Sequence, residues 1–266
     1  MANDTHGYAP VNGLEMYYEV HGTGRPLVLL HGNLSTIEVD FGRILPALAK
    51  TRQVIAVEQQ AHGHTADIDR PLRVQHWADD TAALLRHLGV ERADFLGYSM
   101  GSAVAFQLAV DQPELVGKLV LCSFSYRRDG VHPGLLDGIQ QLQPEHLAGT
   151  PFAESYARVA PRPLDWPVLI DKIKEMDGSV SEWSAETLTA LGNPTMLVIG
   201  DSDIVRPEHA VETFRLLGGG VAGDIAGLPS ARLAILPGTT HITLVHRGEW
   251  LASMVEEFLD APASRP

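Results

Sequence analysis

Cysteine is nearly absent from this chain: Cys122 is the single one among 266 residues. One thiol cannot form an intramolecular disulfide, so the core has to hold the fold, and a reducing compartment suits it. Long apolar runs are missing as well. No stretch reaches the ~20 residues that a membrane-spanning helix requires. The start, Met1 to Pro10, is polar and lacks the apolar run of a signal peptide. Positive charge is also scarce, with 20 Lys and Arg against 33 Asp and Glu, a formal charge of −13. No basic cluster interrupts it, and nucleic acid and anionic membranes reward positive charge, so neither is an expected partner. The expectation is a cytoplasmic globular protein. Hydrophobic residues make up 45%, near the globular norm of about 45–50%, enough for a sizeable core. The length exceeds the ~100–200 residues usual for one domain. One large α/β domain, or a core with an insertion, accounts for it.

Along the chain, Glu15 to Val20, Pro26 to Leu30, Val54 to Val57, Ala93 to Leu96 and Lys118 to Leu121 read as strands. Between them Gly42 to Lys50, the stretch carrying Trp77, Leu84, Leu85 and Leu88, and Gly101 to Val110 read as helices, with Gly89 ending the second. Such alternation predicts a largely parallel sheet covered by helices. From about Ser125 the strands stop. Pro144 to Leu147, Phe152 to Val159 and Trp166 to Met176 are helical by spacing. Strand and helix resume with Thr195 to Gly200 and Pro207 to Leu217, and Arg232 to Leu236 and Glu249 to Leu259 close the chain. The organisation expected is an α/β core from residues 1–124 and 194–266, interrupted by a helical insertion over 125–193. The Gly-rich stretch between Leu217 and Arg232 reads as an extended surface loop, more mobile than catalytic.

Gly97-Tyr98-Ser99-Met100-Gly101 fits Gly-x-Ser-x-Gly, and its context matters more than its letters. A strand precedes it and a helix follows. A sharp strand-to-helix turn there would lift Ser99 above the sheet, and the glycines would let neighbouring backbone approach. A serine hydroxyl is a weak nucleophile unless a base takes its proton and a third group orients that base. An α/β sheet that carries its serine on such a turn orders the partners Ser, then Asp or Glu, then His. Asp203, after the strand Thr195 to Gly200, and His241, after the strand Arg232 to Leu236, stand in that order. Asp201 competes with Asp203. It directly follows the strand, so a structural role bonding nearby backbone amides is expected of it. The oxyanion would need two donors. The N–H of Met100 is one. The other is assigned to the Asn33 N–H in His31-Gly32-Asn33, with Leu34 as the alternative one residue on. His31 is read as holding that loop by a ring hydrogen bond.

Together these residues resemble the α/β-hydrolase superfamily over nearly the whole chain. Ala61-His62-Gly63-His64-Thr65 is similar to its Gly-His-Gly-x-Ser loop, with Ala61 and Thr65 as departures; Glu58 and Ser102 depart from its usual Asp and Gly. The overall pattern is similar to bacterial carboxylesterases and enol-lactonases, which carry a helical cap between the sixth and seventh core strands. It implies ester or lactone hydrolysis through an acyl-enzyme on Ser99, with His241 as base and Asp203 as acid, and no cofactor. His-Gly-Asn also occurs in dehalogenases, where the Asn side chain helps bind halide. A serine nucleophile argues against that chemistry here, so Asn33 is read as a backbone donor. His62 and His64 have no third ligand at a recognisable spacing and are read as solvent-exposed, so no metal site is assigned.

The insertion is expected to cover the site and line an apolar pocket, with Phe124, Tyr126, Phe152, Trp166, Met176 and Trp183 as candidates. Any of these can instead pack the insertion onto the core. Carbon–carbon bond hydrolysis and acyl transfer use the same triad and stay open. So does a ligand-binding protein that kept the fold without its chemistry.

Overall fold

The computed structural model describes residues 4–178 and 182–262. Residues 1–3 of the polar start, 179–181 of the insertion and 263–266 at the end lie outside the described residues. Eight strands form one sheet: β1 (Thr5–Val11), β2 (Leu14–His21), β3 (Arg25–Leu30), β4 (Arg52–Val57), β5 (Ala93–Tyr98), β6 (Val116–Cys122), β7 (Thr195–Ser202) and β8 (Ala231–Thr240). Their order is β1-β2-β4-β3-β5-β6-β7-β8. β1 and β2 pair antiparallel, as do β2 and β4, and every other pairing is parallel.

The central strands are apolar on both faces because helices cover both. Val28 and Leu30 belong to one core, with Trp77 and Leu84 of the helix Val74–His87 and with Phe106. Leu27 and Leu29 belong to the other, with Phe41, Leu48, Leu251 and Val255. That is the two-residue alternation of a strand, read twice. In the helix Val74–His87 the buried Val74, Trp77, Ala78, Thr81, Leu84 and Leu85 recur at helical spacing, and Gly89 follows its end at φ 70°.

The structure departs from the sequence reading at several elements. β1 was not read, because Thr5–Val11 is a polar edge strand. The helix expected over 42–50 is only the short Leu45–Leu48, with Pro46 near its start, and a further short helix, Ile37–Phe41, precedes it. Pro144–Leu147 is a single 3₁₀ turn. Leu135–Gln140 and Ala185–Ala190 are additional helices, and the Gly-rich stretch contains the short helix Gly223–Ala226. Between β6 and β7 all the regular structure among the described residues is helical. This insertion is tied to the core by Lys172–Asp67 (2.6 Å), by Thr36 Oγ1 with Ser155 Oγ (3.0 Å), and by the Trp183 indole N–H donating to Gln107 (3.0 Å).

Close backbone approach dictates two glycines at the end of β5. A Cβ on Gly101 would overlap the carbonyl oxygens of Leu30 and His31, and one on Gly97 would overlap the carbonyl of Gly101. Both obstacles are main chain and cannot swing aside. Gly101→Ala is therefore expected to destabilise the fold by about 3 kcal/mol, a melting-point drop of roughly 6–12 °C for a chain of this size. Exposed Gly138, with nothing within 4 Å of its would-be Cβ, should take alanine with no loss or a small gain. Thermal melts of the two variants check the contrast.

Candidate active site

Ser99 joins β5 to the helix Met100–Asp111 with φ 54° and ψ −121°, a conformation L residues rarely adopt. Local hydrogen bonds hold it there. The Ser99 N–H donates to Cys122 O (2.9 Å), and the Ser102 N–H and Oγ both donate to Ser99 O (2.9 and 2.5 Å). Ser102, where the resemblance expects glycine, thus braces the turn. The turn sits over a helix N-terminus, where negative charge is favoured.

The loop after β3 lies against this turn: a Cβ on Gly32 would come within 3.2 Å of Ser99 Cβ. Buried Asp40 anchors the loop, accepting from the Gly32 N–H (2.8 Å) and Ser35 Oγ (2.7 Å). The His31 ring bridges it to β4's exit, with Nε2 accepting from the Gln59 N–H (3.0 Å) and Nδ1 on Gly32 O (2.7 Å). His62 is fully buried, which corrects the expectation of an exposed loop histidine. Its Nε2 accepts from the Leu34 N–H (3.0 Å), its Nδ1 meets Gln60 O (2.9 Å), and its ring stands edge-on to Trp77. Leu34 is therefore engaged, and Asn33 is the remaining candidate donor of the two considered. His64 is half-buried, with Nδ1 2.8 Å from buried Glu58.

Asp203 and His241, expected as acid and base, stand at the ends of β7 and β8. His241 opens the helical turn His241–Leu244 directly after β8 instead of lying on a loop. Its Nδ1 stands 3.0 Å from Asp203 Oδ1. Asp203 is buried, and burial pushes its carboxyl up. The His241 bond and charge, the Ser123 hydroxyl (2.6 Å) and the Gly200 N–H (3.1 Å) outweigh that and hold it below the usual carboxylate range. Asp201 faces elsewhere, accepting from the N–H groups of Gly238 (2.9 Å) and Thr239 (3.1 Å) just before His241. Tyr98, beside Ser99, donates its hydroxyl to His241 O (2.9 Å), with the two rings 5.0 Å apart.

A cavity of about 140 Å³ opens at Ser99. Asn33, Met100, Ser123 and Phe124 line it from the core side, and Arg127, Arg128, Leu135, Leu136, Ile139 and Asp177 from the insertion. Of the six aromatic and Met candidates only Phe124 is in the wall. Tyr126 is buried, stacked on His209. Trp183 packs against Phe106 and Phe124, Trp166 packs on Tyr156, Met176 belongs to the core, and half-buried Phe152 lies outside the lining. Four features were missed by sequence reasoning: Asp40 behind the loop, Ser123 on Asp203, the Leu135–Ile139 wall, and Asp177. Only the wall had a signal, a short apolar i, i+1, i+4 pattern.

The chain belongs to the α/β-hydrolase family, whose model, described as alpha/beta hydrolase fold, matches residues 25–245. It is similar to the 2-hydroxymuconate semialdehyde hydrolase of Pseudomonas sp. (strain CF600), 26% identical over 90% of this chain and 88% of that one. Among solved structures it is similar to a meta-cleavage product hydrolase of Pseudomonas fluorescens IP01, at 21% identity and TM-score 0.72 over 96% of this chain and 97% of that one. It is also similar to a thermophilic esterase of Thermogutta terrifontis, at 23% identity and TM-score 0.69 over 97% and 98%. At these identities the structural likeness shows the fold. Among the described residues no helix is long and apolar enough to cross a membrane.

Two histidines near the site carry a pH signature. Burial, then the neighbouring His31, lowers the His62 pKa from 6.5 to about 3. Burial, then the charge of Arg127, lowers His209 to about 4. The unfolded chain takes these protons as pH falls through 6.5 while the folded chain refuses them, so their contribution to stability is lost on acidification from 6.5 towards 4. His62→Gln keeps an acceptor for the Leu34 N–H and removes one such proton. It should flatten the pH dependence of unfolding free energy between pH 4 and 6 by about 1.4 kcal/mol per pH unit. Urea titrations at stepped pH measure it, and an unchanged slope would show that His62 protonates in the folded state.

Proposed function

We propose that the protein is a serine hydrolase that cleaves small carboxylic esters or lactones through an acyl-enzyme on Ser99. The observation that carries the reading is the bond between His241 Nδ1 and the buried carboxylate of Asp203. It commits one ring nitrogen to the acid and leaves Nε2 to act as base, and Ser99 itself stands on a strained turn in the wall of a cavity. Ser99 Oγ attacks the carbonyl as Nε2 takes its proton. The oxyanion turns to the N–H groups of Asn33 and Met100, and the alcohol leaves with the proton from His241. Water then repeats the sequence on the acyl-enzyme. The cavity is close in size to an engineered one of about 150 Å³ that binds benzene, so the acyl part it takes is small.

In this reading residues 125–193 are a cap that selects the substrate, over a core of 1–124 and 194–266, and the protein works in the cytoplasm on a small molecule, without a cofactor. A second reading, hydrolysis of a carbon–carbon bond by the same residues, is favoured by the relative named as a 2-hydroxymuconate semialdehyde hydrolase, which aligns over most of both chains. A panel of 4-nitrophenyl esters, lactones and vinylogous diketones separates the two.

A fluorophosphonate probe should label Ser99 alone, and Ser99→Ala should stay folded while turnover falls by several orders of magnitude. Labelling at another residue would remove Ser99 from its role. Asp203→Asn should lower kcat by about 10⁴-fold, because a neutral amide can hold the wrong imidazole tautomer. Asp201→Asn should lower it far less. A larger loss for Asp201→Asn, both variants being folded, would move the acid.

A further inference from the structure

The polar side chains of the Ser99 cavity are nearly all engaged with the protein. The Ser102 hydroxyl donates to Ser99 O, Ser123 to Asp203, and Ser125 to Arg127 O. Arg127 bonds to Asp129, Glu212 and the Tyr126 hydroxyl. Arg128 donates to the Asp177 carbonyl. Two buried acceptor atoms in the wall have no partner: Asn33 Oδ1, on the loop after β3, and Asp177 Oδ2, on the insertion helix Trp166–Gly178. Asp177 is only 5% exposed.

A buried carboxyl oxygen left unpaired costs free energy, and sites with such groups discriminate strongly in favour of substrates that satisfy them. We infer that the substrate carries a hydroxyl on the part that enters the cavity, and that Asp177 receives it. The inference rests on the reading of Ser99 as the nucleophile and narrows its substrate to small hydroxyacyl esters or lactones. Three chemistries could occupy Asp177. An ammonium group would pair with a carboxylate but would sit in a wall that also holds Arg127 and Arg128. A carboxylate would need Asp177 protonated. A hydroxyl both donates and accepts, so it suits either form. That matters here, because burial pushes the Asp177 carboxyl above its usual range, by more than Arg128 and the Gln140 side chain draw it down. The small cavity leaves room for a hydroxylated acyl group of a few carbons.

The test uses ester pairs of matched shape, in which a hydroxyl replaces a methyl: 4-nitrophenyl lactate against isobutyrate, and 4-nitrophenyl 3-hydroxybutyrate against isovalerate. In at least one pair the wild-type kcat/KM should favour the hydroxyl ester by about tenfold or more. Asp177→Leu replaces the carboxyl with an apolar group of similar size. It should erase that preference, lowering kcat/KM for the hydroxyl ester by a larger factor than for its isostere. Asp177→Asn, which keeps one acceptor oxygen, should retain part of the preference. No preference in either pair, or an equal loss on both esters in Asp177→Leu, overturns the inference. Binding is read without turnover in Ser99→Ala, by ligand-observed NMR with 3-hydroxybutyramide and isovaleramide. Tighter binding of the hydroxylated amide that disappears with Asp177→Leu upholds the inference even where no ester is cleaved and only the hydrolytic reading has failed. Equal binding of the two amides overturns it.

Discussion

The buried carboxylate of Asp203 is the tie on which the geometry of the site depends. Its oxygens receive the Ser123 hydroxyl from beyond β6, the Gly200 and Ile204 N–H groups from β7 and its exit, and His241 from beyond β8. Three neighbouring strand ends are thereby fixed to one another through a single charge. An ionised carboxylate out of water is stable only when its lone pairs are filled, and removing one partner of a buried pair typically costs about 3–5 kcal/mol. The same filling that makes the charge tolerable sets the position of the imidazole. Ser123 adds to this, since its hydroxyl reaches the acid from φ 54°, a second non-glycine residue in the left-handed region at the neighbouring strand end.

Strain at Ser99 is carried by a different set of contacts. The turn persists because β5, β6 and the helix Met100–Asp111 surround it with main-chain bonds, and because glycines at 97 and 101 let the backbones touch. The opposing wall, the loop after β3, is held from behind by Asp40, His31 and His62. None of these three needs to meet a substrate. Their bonds fix the main chain at Gly32 and Leu34, on either side of Asn33. The two sides of the cavity floor thus rest on separate buried networks, one of bonds around the Ser99 turn and one around Asp40.

The sheet was legible in the sequence where strands are continuous apolar runs, as at Leu27 to Leu30 or Val54 to Val57, because burial on both faces leaves no other reading once helices alternate with them. The order of Ser99, Asp203 and His241 was legible because each stands at a strand end, and Asp201 was separable from Asp203 by its closeness to the strand. Other features were not legible. Thr5–Val11 is a strand by pairing with β2, not by its own pattern. His62 sits in a polar stretch, and only the fold shows that its ring is enclosed by Trp77 and Leu34. The pocket candidates failed for a related reason. Helical spacing shows which side of Trp166 to Met176 is apolar, but not whether that side meets core or cavity. Leu169, Ile173 and Met176 meet the core, and the polar Asp177 one residue on faces the cavity.

The cavity therefore has two kinds of wall. The floor is made of strand ends and buried hydrogen bonds, whose geometry tolerates little change. The roof is the short helix Leu135–Gln140, whose Leu135, Leu136 and Ile139 are only half-buried although apolar. Apolar surface left uncovered gains about 25 cal/mol for each Å² that a ligand covers, so this helix contributes affinity in proportion to contact and is indifferent to the direction of approach. Direction must come from polar atoms. On the roof side the unpaired oxygen of Asp177 is such an atom, and its cost to the empty protein is the reason to look for its function in the occupied one. A wall that draws in small apolar groups without orienting them and a buried acceptor that orients them are complementary. The first alone would admit any short acyl chain, and the second alone would hold too little surface to bind one.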